Sequence, residues 1–564
     1  MVINIRAKKQ NTYDAIVVGT GISGGWAAKE LTEKGLKTLV LERGRMVKHG
    51  DYPTANKDPW ELPHGDQVTA EELKKFPKQN RTGYVIKEST KHWWVNDLEN
   101  PYSEKKRFDW IRGYHVGGRS ITWGRHSYRW SEMDFEANIK DGIAIDWPIR
   151  YHDLAPWYDY VELYAGIQGM SEGLPQLPDG KFLPPFGLNC VEGHARDKIS
   201  RNFKGRVLTG GRTAHATVLH NGRKCLARDL CMRGCPYGGY FSSNATTLIS
   251  AEDTGNMTLR PHSIVTEIIY DEEKRKATGV RVLDSETREM IAYYAKIIFL
   301  NASTLGSTFI LMNSKSSRFP DGMGNDSGEL GKNLMDHHFV IGASGEIDGW
   351  EDKYYTGRSP AGFYIPRFRN LKNEQRDYLR GFGYQGGASR EGWWRVVKEL
   401  ALGEKLKKMM GEPGKWKIGM TAFGECLPYH ENNVELNEDL HDIYGLPTLT
   451  FDAEFKENEM KMRIDMGNDA AEMLEASGFK NVSIFDHKGA PGLGIHEMGT
   501  ARMGRNPKTS VLNGWNQIHA VKNVFVTDGA CMTSSACQNP SLTYMAITAR
   551  AANFAVQELN KLNF

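Results

Sequence analysis

The chain has 564 residues, 40% hydrophobic and 25% charged, an ordinary globular composition in a length too great for one simple core. Its 72 basic and 69 acidic side chains leave a net charge of +3 with no Lys/Arg block, which argues against a nucleic-acid partner. No apolar run approaches the roughly 20 residues that span a bilayer, and Met1 to Asp14 is polar, so neither a membrane span nor an export signal is expected in this chain.

From Tyr13 the sequence runs Asp-Ala-Ile-Val-Val-Gly19-Thr-Gly21-Ile-Ser-Gly24 and continues Gly-Trp-Ala-Ala-Lys-Glu-Leu. This reads as a buried strand, a glycine turn and a helix with small residues toward the sheet. Gly19 permits the tight turn, Gly21 lets the backbone touch a pyrophosphate, and Gly24 lets the helix close on the strand. The helix N-terminus adds partial positive charge. A second strand, Lys37 to Glu42, ends in an acid at the distance expected for a ribose hydroxyl. Together these predict an adenine dinucleotide, FAD or NAD, with a purely structural turn as the alternative.

Cys225, Cys231 and Cys235 fall within eleven residues and end in Cys-x3-Cys-Pro236, the tail of ferredoxin-type cluster loops. A disulfide and a structural zinc site are the competing readings. Zinc arms are usually Cys-x2-4-Cys pairs with a second arm downstream, whereas here the spacings are five and three and no second arm follows. Three thiolates suit a [3Fe-4S] cluster, one per iron, and Gly234, Gly238 and Gly239 would let backbone N–H groups approach the sulfides. A cluster beside an organic redox cofactor takes electrons one at a time, which favours a dehydrogenase over an oxidase. Cys190 is a distant candidate for a fourth ligand; it and Cys426, Cys531 and Cys537 read as buried, unligated thiols.

Further along, Lys296 to Leu300 is a short apolar strand. Gly342 to Ile347 and Pro447 to Asp452 read as strands of a second, antiparallel sheet covered by helices such as Glu457 to Ala476. Asn523 to Asp528 is another buried strand that ends in the acidic-glycine turn Asp528-Gly529, so one cofactor draws on both chain ends. The predicted class is α/β: a Rossmann-type FAD-binding domain with a discontinuous α+β substrate domain built on an antiparallel sheet. The first gathers residues 10–50, 108–135, 240–345 and 490–564; the second takes 51–107, 136–239 and 346–489, including the cysteine loop 225–236.

The segment Gly494-Ile-His496-Glu-Met-Gly499-Thr-Ala-Arg502-Met503-Gly504, followed by Asn539-Pro540-Ser541-Leu-Thr543, closely resembles the C-terminal signatures of the glucose-methanol-choline (GMC) flavoprotein oxidoreductases. Gly117-Gly118-Arg-Ser120-Ile-Thr122-Trp123 is similar to that family's flavin-contacting loop, and Gly328-Glu-Leu-Gly331-Lys-Asn333-Leu-Met-Asp336-His337 to its central motif. The resemblance covers nearly the whole chain and decides for FAD. It implies cofactor contacts at Gly19, Gly21, Gly24, Glu42, Gly117, Gly118, Ser120, Thr122, Val265, Asp528, Gly529, Asn539, Pro540 and Ser541. Oxidising an alcohol needs a base for the hydroxyl proton while hydride leaves carbon for the flavin N5. His496 is the natural base, since an unperturbed histidine titrates near 6.5, and the resemblance makes Asn539 its partner in holding the hydroxyl. His337, His338 and His519 read as structural.

Pyranose oxidases of this family bond a histidine to the flavin in a Ser-Thr-His-Trp segment. Here the residues are Ser120-Ile121-Thr122-Trp123, so the FAD is expected to be non-covalent. The cysteine loop narrows the resemblance to an iron-sulfur subgroup that includes catalytic subunits of membrane-linked glucose, fructose and gluconate dehydrogenases and glucoside 3-dehydrogenases. That implies a sugar or glycoside substrate, with glucoside 3-dehydrogenase the best match, and a cytochrome c acceptor. It also implies a small subunit carrying the export signal, hence periplasmic location by co-export. A sugar oxidase with structural cysteines and a non-catalytic FAD-binding subunit are the other functions considered. Trp93-Trp94 and Trp393-Trp394 are candidate sugar-stacking surfaces, and Glu425, Asn432 and Gln538 candidate polar contacts.

Overall fold

The computed structural model describes residues 11–564 apart from 84, 354, 356–359, 372–373 and 393–401. Trp393-Trp394 therefore lies outside the described residues. Five strands run parallel in the order Val521–Val526, Met290–Leu300, Thr12–Val18, Thr38–Leu41 and Met257–Arg260. A hairpin of Ser263–Asp271 and Lys276–Asp284 joins antiparallel beside Met290–Leu300, and Gln517–Ile518 forms an edge.

Alternation along the first strand buries both faces, as a parallel sheet requires. Ala15 and Val17 pack in one core with Ala27, Ala28 and Leu31 of helix Ile22–Glu33 and Ala551, Ala552 and Ala555 of helix Ser541–Asn560. Ile16 and Val18 enter the other, larger core. Val18, Leu41, Leu300 and Val526 lie in register, so the chain leaves four strands along one carboxyl edge. In open sheets of this kind, that edge is where ligands bind.

The second sheet is antiparallel, in the order Lys480–Asp486, Ile341–Ile347, Trp416–Gly424, Phe382–Arg390, Phe363–Ile365 and Thr209–Gly210. Trp416, Ile418, Met420 and Ala422 alternate inward and meet Met462, Met466, Ala470 and Met473 of helix Glu457–Ala476. One expectation fails here. Pro447–Asp452 does not join this sheet but pairs with Asn433–His441 and Ser103–Glu104 in a separate three-stranded one. Its apolar face explains the choice: Phe451 stacks on Phe108 at 4.3 Å and, with Leu449, belongs to the larger core under the parallel sheet. Among the described residues no helix is long and apolar enough to cross a membrane.

Candidate active site

The carboxyl edge of the parallel sheet opens into a cavity of about 460 Å³. Its wall combines Gly19, Gly21 and Glu42, then Gly118, Ser120 and Thr122, then Val265, Asp528 and Gly529, and finally His496, Asn539 and Ser541. Gly24, Gly117 and Pro540 stand behind that wall. A Cβ on Gly24 would fall 2.0 Å from the Gly19 carbonyl oxygen, the Gly117 N–H donates to Thr20 Oγ1 at 2.9 Å, and Pro540 caps the helix Ser541–Asn560.

The residues fit a dinucleotide. Gly21 caps helix Ile22–Glu33, and a Cβ there would meet nothing within 4 Å, so the helix N-terminus faces open space of the kind a pyrophosphate fills. Gly19 has φ +100°, and a Cβ on it would lie 2.3 Å from the Asn301 carbonyl oxygen, so only glycine makes this turn. Glu42 accepts the Thr20 hydroxyl at 2.5 Å and the Gly44 N–H at 3.0 Å, which leaves Oε1 a free lone pair. Burial pushes its carboxyl above the usual range. Asp528 is engaged by the protein: Oδ1 accepts the Ala530 N–H at 3.0 Å and Oδ2 the Ser307 hydroxyl at 2.5 Å, and burial lifts it to about 6.

His496 is held by the central motif. Asp336 accepts the backbone N–H groups of Gly492 and Gly494 at 2.8 Å each and of His496 at 3.0 Å. Burial and the Glu497 carboxylate raise Asp336 to about 7 against the pull of these donors. The clamp secures a backbone that is not relaxed, because Ile495 has φ +58°, a region β-branched residues rarely enter. Glu497 in turn forms a two-pronged pair with Arg119 of the glycine loop, at 3.0 and 3.2 Å. His496 Nδ1 is 2.7 Å from His337 Nδ1, and its Nε2 is 3.4 Å from Asn539 Nδ2. Asn539 Oδ1 accepts Gln385 Nε2 at 2.6 Å. Burial drives the His496 pKa well below 6.5, aided by His337, Arg119 and His126, so the ring is a neutral acceptor near pH 7.

Cys225, Cys231 and Cys235 line a second, smaller void with His215, Gly239 and Tyr240. All seven cysteines are free. The Ala227 N–H lies 3.4 Å from Cys225 Sγ, the Gly239 N–H 3.3 Å from Cys235 Sγ, and His215 Nε2 3.9 Å from Cys231 Sγ. Among the described residues no three His, Cys, Asp or Glu side chains could hold a single metal ion. A polynuclear cluster takes one thiolate on each iron, and these three thiols, two of them with an N–H near the sulfur, are the residues that would hold one. Buried Arg125 exerts its charge on Cys231, and its Nε and Nη1 lack hydrogen-bond partners among the described residues. The guanidinium lies over the Tyr240 ring at 5.0 Å, and an anionic cluster would offer acceptors to the two free N–H atoms. The void adjoins the main cavity, since Arg125 and Met232 line the latter and the Tyr240 hydroxyl bonds the carbonyls of Ile121 and Cys231.

Several sequence candidates fall elsewhere. Glu425 is fully buried against Arg367 at 3.0 Å, Asn432 bonds the Glu454 carbonyl, and Gln538 bonds the Gln176 carbonyl; none lines the cavity. These bonds are internal, and Glu425 Oε2 faces the Arg380 guanidinium at 3.8 Å without a hydrogen-bond partner among the described residues. Trp93 is core and only Trp94 of that pair reaches the cavity wall. Sequence reasoning missed Gln385, Arg119 and Arg125, and took His337 as structural. The available signals were the position of His337 inside the central motif and that of Arg119 inside the glycine loop.

Comparison with known proteins gives two matches to family models described as GMC oxidoreductase, over residues 13–339 and 428–548. A 2-methyl-1,2-propanediol dehydrogenase from Mycolicibacterium austroafricanum is 29% identical over 96% of this chain and 94% of its own length. The fructose dehydrogenase large subunit of Gluconobacter japonicus is 24% identical over 97% of this chain and 98% of its own. Among solved structures, the formate oxidase of Aspergillus oryzae RIB40 superposes with a TM-score of 0.59 at 15% identity, covering 98% of this chain and 99% of that one, a likeness of fold.

Proposed function

From a chain that belongs to the GMC oxidoreductase family, and is thus an FAD-dependent enzyme acting on alcohol or sugar-like substrates, we propose a dehydrogenase that oxidises a hydroxyl of a sugar or glycoside. One observation carries the proposal: His496 Nε2 and Asn539 Nδ2, 3.4 Å apart, share a cavity wall with Gly19, Gly21 and Glu42. A substrate hydroxyl set between the two donates its proton to His496 Nε2 and accepts from Asn539 Nδ2–H. As the proton leaves oxygen, the C–H bond gives up a hydride, and FAD when bound accepts it. Phe339 and Phe423, stacked at 5.0 Å, belong to the same wall and limit water there. Thr122 carries no group able to bond a flavin carbon as histidine does, which supports non-covalent FAD.

The finer reading is a glucoside 3-dehydrogenase whose Cys225, Cys231 and Cys235 hold a [3Fe-4S] cluster. Support comes from the shared void, the N–H groups on two of the sulfurs and the two Arg125 nitrogens without a hydrogen-bond partner among the described residues. A cluster passes electrons singly, which suits a cytochrome c acceptor. The relative named as a large subunit supports a small partner subunit, and with it a periplasmic location by co-export. The test is anaerobic mixing with methyl glucoside, glucose, fructose and 2-methyl-1,2-propanediol. Bleaching of the flavin by a sugar, and fastest by the glucoside, is expected; bleaching by none of the four would overturn the reading.

A further inference from the structure

We propose that His337 and Gln385 are positioning residues at the two ends of a one-way hydrogen-bond chain that holds His496 as its Nδ1–H tautomer, with the Nε2 lone pair free for the substrate hydroxyl. The inference deepens, and rests on, the reading of His496 as the base.

The direction of the chain follows from its terminus. His337 Nε2 meets the carbonyl oxygen of Ala536, which can only accept, so Nε2 carries the hydrogen. Full burial pushes the His337 pKa down to about 4, so the ring is neutral and its Nδ1 is a bare lone pair. His496 Nδ1 approaches that lone pair at 2.7 Å, where two lone pairs would repel, so His496 Nδ1 bears the hydrogen and donates it. Neutral His496 then has an acceptor at Nε2. The Asn539 atom facing Nε2 at 3.4 Å must be the amide nitrogen, which leaves Asn539 Oδ1 to accept from Gln385 Nε2 at 2.6 Å. Every donor and acceptor from Gln385 to Ala536 is assigned without appeal to an observed hydrogen.

The chain ties one strand of the antiparallel sheet to the loops that carry the site. Gln385 belongs to strand Phe382–Arg390 of the antiparallel sheet, while His337 follows Asp336, whose carboxylate already grips the His496 backbone. Two neighbouring residues thus hold His496, one by its backbone and one by its ring. The 3.4 Å contact is the slack link, and it is the one a substrate hydroxyl replaces. Without His337 the ring is free to carry its hydrogen on Nε2, where it cannot accept a proton; a wrong histidine tautomer costs up to about 10⁴-fold in an unrelated hydrolase.

The test uses the intact flavoprotein and the fastest-bleaching member of the four-compound panel, following anaerobic flavin reduction. His337→Leu should lower the limiting rate by about 10²–10⁴-fold at unchanged flavin content and with little change in half-saturating concentration. His337→Asn restores an acceptor near Nδ1 and should recover most of that loss. His337→Asp should move the acid limb of the rate profile upward by about one unit or more, a change that mere damage to packing would not produce. Gln385→Leu, which frees Asn539, should cost about tenfold. Full-rate reduction by His337→Leu, or an Asn variant as slow as the Leu variant, would overturn the relay. If the Leu variant loses its flavin, the Asn and Asp variants decide. Rapid reduction by His496→Ala would instead remove the base assignment itself, so the two failures are distinguishable.

Discussion

Two glycines two residues apart should respond to substitution in opposite ways, and the geometry sets the size of each effect. Gly19→Ala places a methyl group 2.3 Å from the Asn301 carbonyl oxygen and 2.8 Å from its carbon, at φ +100°. Both atoms are backbone and cannot swing aside, and Asn301 is tied to Thr527 at 2.7 Å. Left-handed strain of about 1–3 kcal/mol and overpacking of about 1–3 kcal/mol together predict a loss of about 2–6 kcal/mol in the flavin-free protein. Gly21→Val begins from φ −65°, and its Cβ meets nothing within 4 Å. Its flavin-free stability should match the wild type within about 1 kcal/mol, with any shift upward from reduced unfolded-state entropy. The valine nevertheless fills the space before the helix N-terminus, so bound flavin should be lost. The assay is urea unfolding of flavin-stripped proteins beside visible flavin absorbance per chain; stripping removes the stabilisation that ligand binding itself confers. A Gly21→Val protein that retains a full complement of flavin would refute the assignment of this turn to the pyrophosphate.

Replacing His496 by Ala should slow flavin reduction by about 10²–10⁴-fold with the bound-flavin spectrum intact, and Asn539→Ala should cost less; stopped-flow bleaching measures both. Because the base works unprotonated and its pKa is depressed by burial and then by His337, Arg119 and His126, the rate should hold level above pH 6.5 and fall only as pH drops through a value well below it. An acid limb centred at or above 6.5 would contradict that. Acid precipitation should release the yellow colour into solution, since Thr122 cannot bond the ring, and flavin retained in the pellet would count against non-covalent binding. Cys231→Ser should spare flavin reduction but stop cytochrome c reduction and lower the iron content.

The parallel sheet and its glycine turn were legible because their signals are local: Ala15 to Val18 alternate between two cores, and Gly19 and Gly24 each answer a separate steric demand, while Gly21 borders open space. The long amphipathic helix Glu457–Ala476 was legible for the same reason. What escaped depends on partners distant in sequence. Nothing around Gln385 announces that it meets Asn539, 154 residues away. His337 resembled a core histidine until the Ala536 carbonyl and His496 flanked it. Glu425 failed as a site residue because Arg367 claims its carboxylate inside the core. Pro447–Asp452 reads as a strand, but its sheet is chosen by the stacking of Phe451 on Phe108 rather than by periodicity. Arg125, which has φ +64° and a buried guanidinium beside the cysteine void, carried no sequence signal at all.

In the proposed enzyme, flavin-dependent alcohol oxidation feeds single-electron exit through the cysteine loop, and one measurement bears on that junction most directly. Iron, acid-labile sulfide and flavin should be counted in the purified protein and an electron paramagnetic resonance spectrum recorded before and after anaerobic addition of the sugar. Iron and sulfide are expected in the ratio of a [3Fe-4S] cluster, equimolar with flavin, with a cluster signal that changes when the sugar reduces the protein. A protein with full flavin and no iron, which consumes oxygen as it turns over, would contradict the proposal.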